Sequence, residues 1–292
     1  MSRRLAVLAN PAAAGGRAVE KLPSLRAELE RLGAEFRIVE TSSAEHARKE
    51  AAIAADAGET VAAFGGDGLV GTLAGVMCGR DAALAVLPGG RGNDFARVLG
   101  IPLDAVDAVA VAVDGVERTV DVGEVDGKAF VGIATVGLDS DANRIANDAK
   151  LVKGNLVYVY AALRALAQWK PATFEVTVDG ERHTSRGYSV AVANSKAHGG
   201  GMYLVPQAEL DDGRLDVMLT GEASKLRCLR DLPKVFNGSH VNLPYLTFMR
   251  GERVEISADR PFAVYADGDA IAQLPVTVRV AKGVLRVVVP AG

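Results

Sequence analysis

Residues 62–73 read A-A-F-G-G-D-G-L-V-G-T-L. An apolar run leads into a glycine cluster, and a second apolar run with helical spacing follows. Strand, tight loop and helix in that order are half of a strand–helix–strand unit, the signature of a parallel sheet covered by helices. Inside the stretch, G-D-G-L-V-G formally matches the dinucleotide fingerprint G-x-G-x-x-G. Three features speak against a redox cofactor. The fingerprint normally follows the first strand of its fold, and here it follows the third. The next strand, Ala83 to Leu87, runs into Pro88-Gly89 and supplies no acid for a ribose. Asp67 would also face phosphate oxygens, and like charges about 4 Å apart in a partly dry loop repel by several kcal/mol. A bridging magnesium ion removes that repulsion and makes the carboxylate useful.

The neighbouring segments extend the pattern. Leu5–Ala9, Phe36–Glu40, Val61–Phe64 and Ala83–Leu87 read as strands. Between them, Val19–Leu32, Ala44–Ala57 and a stretch from about Leu69 to Cys78 read as helices, the first two stopped by Gly33 and Gly58. Near Gly115 the rhythm changes to short strands joined by turns such as Asp126-Gly127. Helical stretches at Asp139–Ala149 and Leu156–Trp169 are followed by strands at Phe174–Val178, Tyr188–Ala193, Leu215–Leu219, Val254–Ser257 and Phe262–Ala266. Two more strands, Val276–Val280 and Leu285–Val289, close the sequence. The expected organisation is an α/β domain over 1–117 and a β-rich domain over 118–292, the last strand packing back on the first domain.

The 292 residues carry a formal net charge of −3, so a dedicated nucleic-acid binder is disfavoured. Cys78 and Cys228 make no disulfide framework and point to a reducing compartment. Leu5–Ala9 is too short for a signal peptide core, and Arg164 breaks the best apolar run, so a cytoplasmic protein is expected.

Three glycine- or asparagine-rich loops each end a parallel strand: N-P-A-A-A-G-G at 10–16, G-G-D-G at 65–68 and P-G-G-R-G-N-D at 88–94. In an open α/β sheet they emerge at one edge, where backbone N–H groups and helix N-termini cradle anions. A P-loop is absent, since G-E-V-D-G-K-A has the wrong spacing. With L-P-G-G-R-G-N-D-F-A-R at 87–97, F-V-G-I-A-T-V-G-L-D at 130–139, G-G-G-M-Y-L-V-P-Q-A-E-L-D-D-G-R-L-D at 199–216 and Y-A-D-G-D at 265–269, the chain resembles the bacterial diacylglycerol kinase-like lipid kinases. That family shares its catalytic domain with sphingosine and ceramide kinases.

The resemblance implies an N-terminal α/β domain with a parallel sheet, of the NAD kinase and phosphofructokinase type, and a β-rich, sandwich-like C-terminal domain. It implies ATP and Mg2+. ATP phosphates would lie on Gly65, Gly66, Asp67, Gly68 and Leu69 and on Asn10, Pro11, Ala12, Ala13 and Ala14, with Thr41 near the nucleotide and Arg91, Asn93 and Asp94 in the third loop. The chain departs from the family at Leu69, Gly71 and Thr72, where Thr and then Asn-Glu are usual, and at Arg91, where Thr is common. Arg91 offers a charge-assisted donor in place of a hydroxyl, which reads as an altered phosphate grip.

By the same resemblance Asp267 is the general base and Asp269 supports it, standing where Glu is more usual. On spacing alone the two acids share one side of an extended segment if the turn at Gly268 is mild; otherwise they form a plain Asp-Gly turn. The family's structural magnesium would fall on Asp212 with the carbonyls of Glu209 and Arg214, hard oxygen ligands suited to that ion. His46, His183, His198 and His240 show no zinc spacing, and His198 is a weaker catalytic candidate. Leu156–Trp169 lines a lipid cleft or, more simply, packs on a sheet. Lys225, Arg227, Arg230 and Lys234 form a solvated face or touch an anionic bilayer.

The expected activity is an ATP- and magnesium-dependent lipid kinase acting on a hydroxyl of diacylglycerol or a related lipid. Its partner is lipid at the inner face of the membrane, met by peripheral contact, with a homodimer compatible and no nucleic acid. Two alternatives stay open. One is an NAD kinase-like enzyme with a soluble acceptor, and the other a nucleotide- or lipid-binding protein without turnover.

Overall fold

The computed structural model describes residues 3–148 and 156–291. They fall into two compact units, Met1–Val122 with Lys282–Gly292, and Gly123–Ala281.

Unit 1 alternates strand and helix: β1 (Arg4–Ala9), α1 (Arg17–Glu20), α2 (Leu22–Arg31), β2 (Glu35–Glu40), α3 (Ala44–Asp56), β3 (Thr60–Gly65), α4 (Asp67–Met77), β4 (Leu84–Pro88), α5 (Asp94–Val98), α6 (Ala105–Asp114) and most of β5 (Val116–Val125). The parallel order is β2-β1-β3-β4. β3 and β4 are buried along their whole length, as strands covered on both faces must be. The helices begin where sequence chemistry allows. Ser43 Oγ accepts the His46 N–H to cap α3, and Asp104 Oδ1 accepts the Val106 N–H to cap α6. The single helix expected over Val19–Leu32 is two pieces, α1 and α2, because Pro23 has no N–H to give a continuous ladder and instead starts α2.

Unit 2 holds β6 (Lys128–Phe130), β7 (Ile133–Gly137), α7 (Leu138–Asp148), α8 (Leu156–Gln168), β8 (Ala172–Val178), β9 (Glu181–Ala193), β10 (Leu215–Gly221), α9 (Lys225–Asp231), β11 (Leu246–Gly251), β12 (Arg253–Ala258), β13 (Ala263–Ala266), β14 (Asp269–Gln273) and the first part of β15 (Val276–Val289). Its strands run in the order β14-β13-β7-β9-β8-β12-β15, with β10 and β11 reached through β9. β8 alternates buried and half-buried residues, and its Phe174 and Val176 meet Phe130, Val190 and Trp169 in the core. The Trp169 indole N–H donates to the Gly187 carbonyl, so the one polar atom of that ring is satisfied.

Three sequence expectations change. The two closing strands are one strand, β15, whose later part pairs with β4 through Val287 and Leu84. Gly283, in the gap between the two expected strands, continues the strand with φ +59° while its N–H donates to Asp121 Oδ1. β11 joins β10, and β9 begins at Glu181 because its polar first half pairs with β8. The end of the helix expected over Asp139–Ala149 lies outside the described residues. No helix among the described residues is long and apolar enough to cross a membrane.

Candidate active site

In unit 1 the three glycine loops meet at the carboxyl edge of the parallel strands. The Asn10 N–H donates to the Phe64 carbonyl at 3.0 Å, and the Gly89 N–H to the Gly65 carbonyl at 2.8 Å. Asn10 Oδ1 accepts the Ala12 N–H, folding the loop that holds Pro11, Ala13 and Ala14. Gly66 and Gly90 lie backbone against backbone, and a Cβ at Gly90 would run into Gly66 Cα. The glycines here allow close approach. Gly66 itself has an ordinary φ of −95°, so the left-handed backbone that such loops often need is not the reason for glycine at this position.

Asn93 does take the left-handed conformation, at φ 53°. Its Oδ1 accepts the Gly90 N–H and its Nδ2 donates to the Gly90 carbonyl, closing the third loop. Arg91 sits exposed at the loop tip. Gly90→Ala should lower thermal stability, since overpacking of this kind costs about 1–3 kcal/mol. It should also weaken nucleotide binding. An unchanged melting temperature and an unchanged ATP titration would show that the close approach is dispensable.

α4 starts at Asp67 behind Gly66 with no side-chain cap, leaving the amide end of an 11-residue helix open to an anion. Asp67 is half-buried, and its Oδ1 accepts the Phe95 N–H at 3.2 Å. Burial, then the nearby Asp94 carboxylate, push it up to about 6, against the pull of the Phe95, Asp94 and Asn93 amides. A divalent cation would favour the ionised form, so this carboxylate fits a metal–phosphate complex. The sequence suggested that role, but the amide contacts that also make Asp67 an anchor for the third loop were not visible there.

Leu69 is buried beneath the loop, where a Cβ on Gly65 would come within 2.8 Å of its Cδ2, so it offers phosphate only its backbone. Thr41 is buried too, and its hydroxyl donates to the Ala9 carbonyl at 3.0 Å, fastening the end of β2 to that of β1.

In unit 2, Asp267 and Gly268 form the turn between β13 and β14, with φ 50° and 94°. The mild extended segment is thereby overturned: Asp269 pairs with Ala266 across the hairpin and is exposed at its far side. Positive φ at a non-glycine residue is strained, and such residues gather at functional sites. The Asp267 carboxylate is held by the Val131 and Gly132 N–H groups, each at 2.9 Å.

Asp212 Oδ1 accepts the Arg214 N–H, and Arg250 forms ion pairs with Asp212 and, at 3.6 Å, with Asp216. Burial and then the Glu209 carboxylate push Asp216 up to about 6. Crowded carboxylates of this kind fit a hard divalent cation, with Arg250 supplying the present counter-charge. Among the described residues no group of three or more His, Cys, Asp or Glu side chains is set to hold a metal ion. A cation beside Asp212 would therefore draw on main-chain carbonyls, such as those of Glu209 and Arg214.

Unit 2 also contains a cavity of about 160 Å³ whose walls are largely apolar, among them Leu138, Met202, Met218 and Leu232, with polar groups such as Asp139 and His198. α8 contributes Ala162 to it, while Val157, Ala161 and Ala165 pack on Ile145 and Ala146 of α7. No sequence spacing announces this cavity, because its walls come from residues as far apart as Leu138 and Leu246.

Residues 4–125 match the diacylglycerol kinase catalytic domain, and residues 132–289 match the YegS C-terminal NAD kinase beta sandwich-like domain. The chain is 32% identical to a diacylglycerol kinase of Mycobacterium tuberculosis, covering 98% of this chain and 95% of that one. It is 30% identical to a diacylglycerol kinase of Bacillus subtilis over 80% and 77% of the two chains. A crystal structure of a diacylglycerol kinase from Bacillus anthracis superposes with a TM-score of 0.75 at 21% identity, over 99% and 97% of the chains, which is a likeness of fold.

Proposed function

The chain belongs to the diacylglycerol kinase-like lipid kinases, and on that premise we propose that it transfers the γ-phosphate of ATP to a hydroxyl of diacylglycerol or a related lipid, assisted by magnesium. The observation that favours a lipid over a soluble acceptor is the apolar cavity of unit 2, whose walls suit an acyl chain and offer little to a nucleotide. In this reading the loops at Asn10, Gly65–Gly68 and Gly89–Asp94 position the phosphates through backbone N–H groups. Asp67 faces the metal–phosphate complex, and Asp267 accepts the hydroxyl proton. Magnesium supplies charge neutralisation to the transferring phosphoryl group. Radiolabelled ATP incubated with mixed micelles of several lipids, and separately with NAD, tests the reading. Label in a lipid product is expected; label in NAD alone would overturn it, and nucleotide binding without product would favour a protein without turnover.

A structural cation at Asp212 is the matching proposal for the second metal. Asp212→Ala should lower the melting temperature, and a chelator should lower that of the parent protein, since a bound ion stabilises the native state by mass action. Insensitivity to both would remove the ion.

The substrate is met at an anionic membrane surface, at the inner face of the membrane. Leu226 is 77% exposed, flanked by Lys225 and Arg227, and Leu229 and Phe236 are exposed beside Arg230 and Lys234. Asp231, held down at about 2 first by Lys234 and then by Arg230 and Tyr245, offsets only part of that positive charge. Sedimentation with phosphatidylglycerol vesicles should exceed that with phosphatidylcholine vesicles and should fall in Leu226→Asp. Equal sedimentation would return these residues to a merely solvated face.

A further inference from the structure

The cavity of unit 2 contains a carboxyl group that neither the fold nor the phosphoryl chemistry uses. Asp139 is the second residue of α7, which follows β7 directly, and it lines a cavity whose other walls are largely apolar. The Ser189 hydroxyl hydrogen-bonds this carboxyl, and His198 across the cavity acts on it electrostatically. Its Oδ2 is buried and has no hydrogen-bond partner. A buried polar atom left without a partner destabilises the fold. Packing alone would be served as well by an apolar residue. Such an atom at the wall of a ligand-sized space is completed by what enters the space.

We propose that Asp139 is a specificity-determining residue of the acceptor site, its free carboxyl oxygen hydrogen-bonding the ester carbonyl at the head of an acyl chain lodged in the cavity. The assignment rests on the lipid-kinase reading of that cavity and narrows it to a substrate class: lipids whose chains are attached through a carbonyl, in preference to ether-linked chains. The choice of a carbonyl follows from the surroundings. Burial pushes this carboxyl above the ordinary carboxylate range, against the opposing pull of Ser189 and His198, and in its neutral form a carboxyl has a proton to donate to a carbonyl. Apolar neighbours such as Leu138 and Met218 suit the hydrocarbon that follows the carbonyl. Asp139 touches no atom that reacts, so its effect falls on acceptor binding.

The test is direct binding, measured by titration calorimetry without ATP, of didecanoylglycerol and of its didecyl ether analogue. The parent protein should bind the diester about five- to tenfold more tightly, the worth of one hydrogen bond to a neutral partner. Asp139→Leu should bind both lipids equally. Asp139→Asn, which keeps a donor of the same size, should retain the preference and guards against a folding defect in the leucine variant. A parent protein that does not discriminate, or a leucine variant that still does, overturns the proposal. Binding of neither lipid by a protein that phosphorylates lipid in micelles would overturn the cavity assignment and Asp139 with it, while leaving the kinase reading in place.

Discussion

Asp267→Asn should lower turnover about 10²–10⁴-fold, the usual worth of a positioned general base, with ATP affinity unchanged. The residue belongs to unit 2, whereas every loop assigned to the nucleotide belongs to unit 1. The asparagine keeps size and shape but turns an NH₂ toward either the Val131 or the Gly132 N–H, both of which now donate to the carboxylate. Some loss of local order therefore accompanies the loss of basicity. Asp267→Gly separates the two effects, because glycine accepts φ 50° without strain and presents no misplaced donor. Both variants should lose turnover alike and keep the nucleotide titration of the parent protein. Full activity in either would remove Asp267 from the chemistry, and lost ATP binding would make it a nucleotide or metal residue.

Asp67→Ala should reduce turnover about 10²-fold at limiting magnesium, the order of effect seen when one electrostatic partner of a transition state is removed. Two causes are folded together in that variant: the lost charge toward the metal–phosphate complex and the lost acceptor for the Phe95 N–H. Asp67→Asn keeps an acceptor oxygen and removes the charge. If charge governs, the asparagine variant falls as far as the alanine variant and excess magnesium restores neither fully. Near-parental turnover in the asparagine variant would make Asp67 an anchor of the third loop and nothing more.

The strand–helix alternation of unit 1 was legible because β1, β3 and β4 are largely apolar and two of its helices carry their own stop signals, Gly33 and Gly58. What escaped depended on distant partners. Leu246–Gly251 is only half-buried and becomes a strand by pairing with β10, a fact no local pattern contains. Lys282-Gly283 looks like a turn until Asp121 takes the glycine N–H. The candidate site divides in the same way. The glycine loops and Y-A-D-G-D stand out as motifs, but the hairpin that separates Asp269 from Asp267 depends on a left-handed aspartate that spacing does not reveal. Thr41 is placed near the nucleotide by the resemblance alone, and the bond from its hydroxyl to the Ala9 carbonyl is a contact no local pattern contains. Asp139 stands out in the sequence only as the end of a motif and the start of a helical stretch, since its isolation is a property of walls assembled from α7, β9, β10 and the His198 loop.

The path of β15 bears on how the protein is made. Leu285, Val287 and Val288 are fully buried, and they belong to unit 1, although residues 123–281 intervene in the chain. On a ribosome adding about 5–20 residues per second, β4 waits on the order of 10–40 s for the strand that covers it. During that interval its N–H and C=O edge is an open template for other nascent chains. The intervening unit is complete in sequence before that strand emerges, so the order of maturation is inverted: the segment synthesised first is the last that can finish folding.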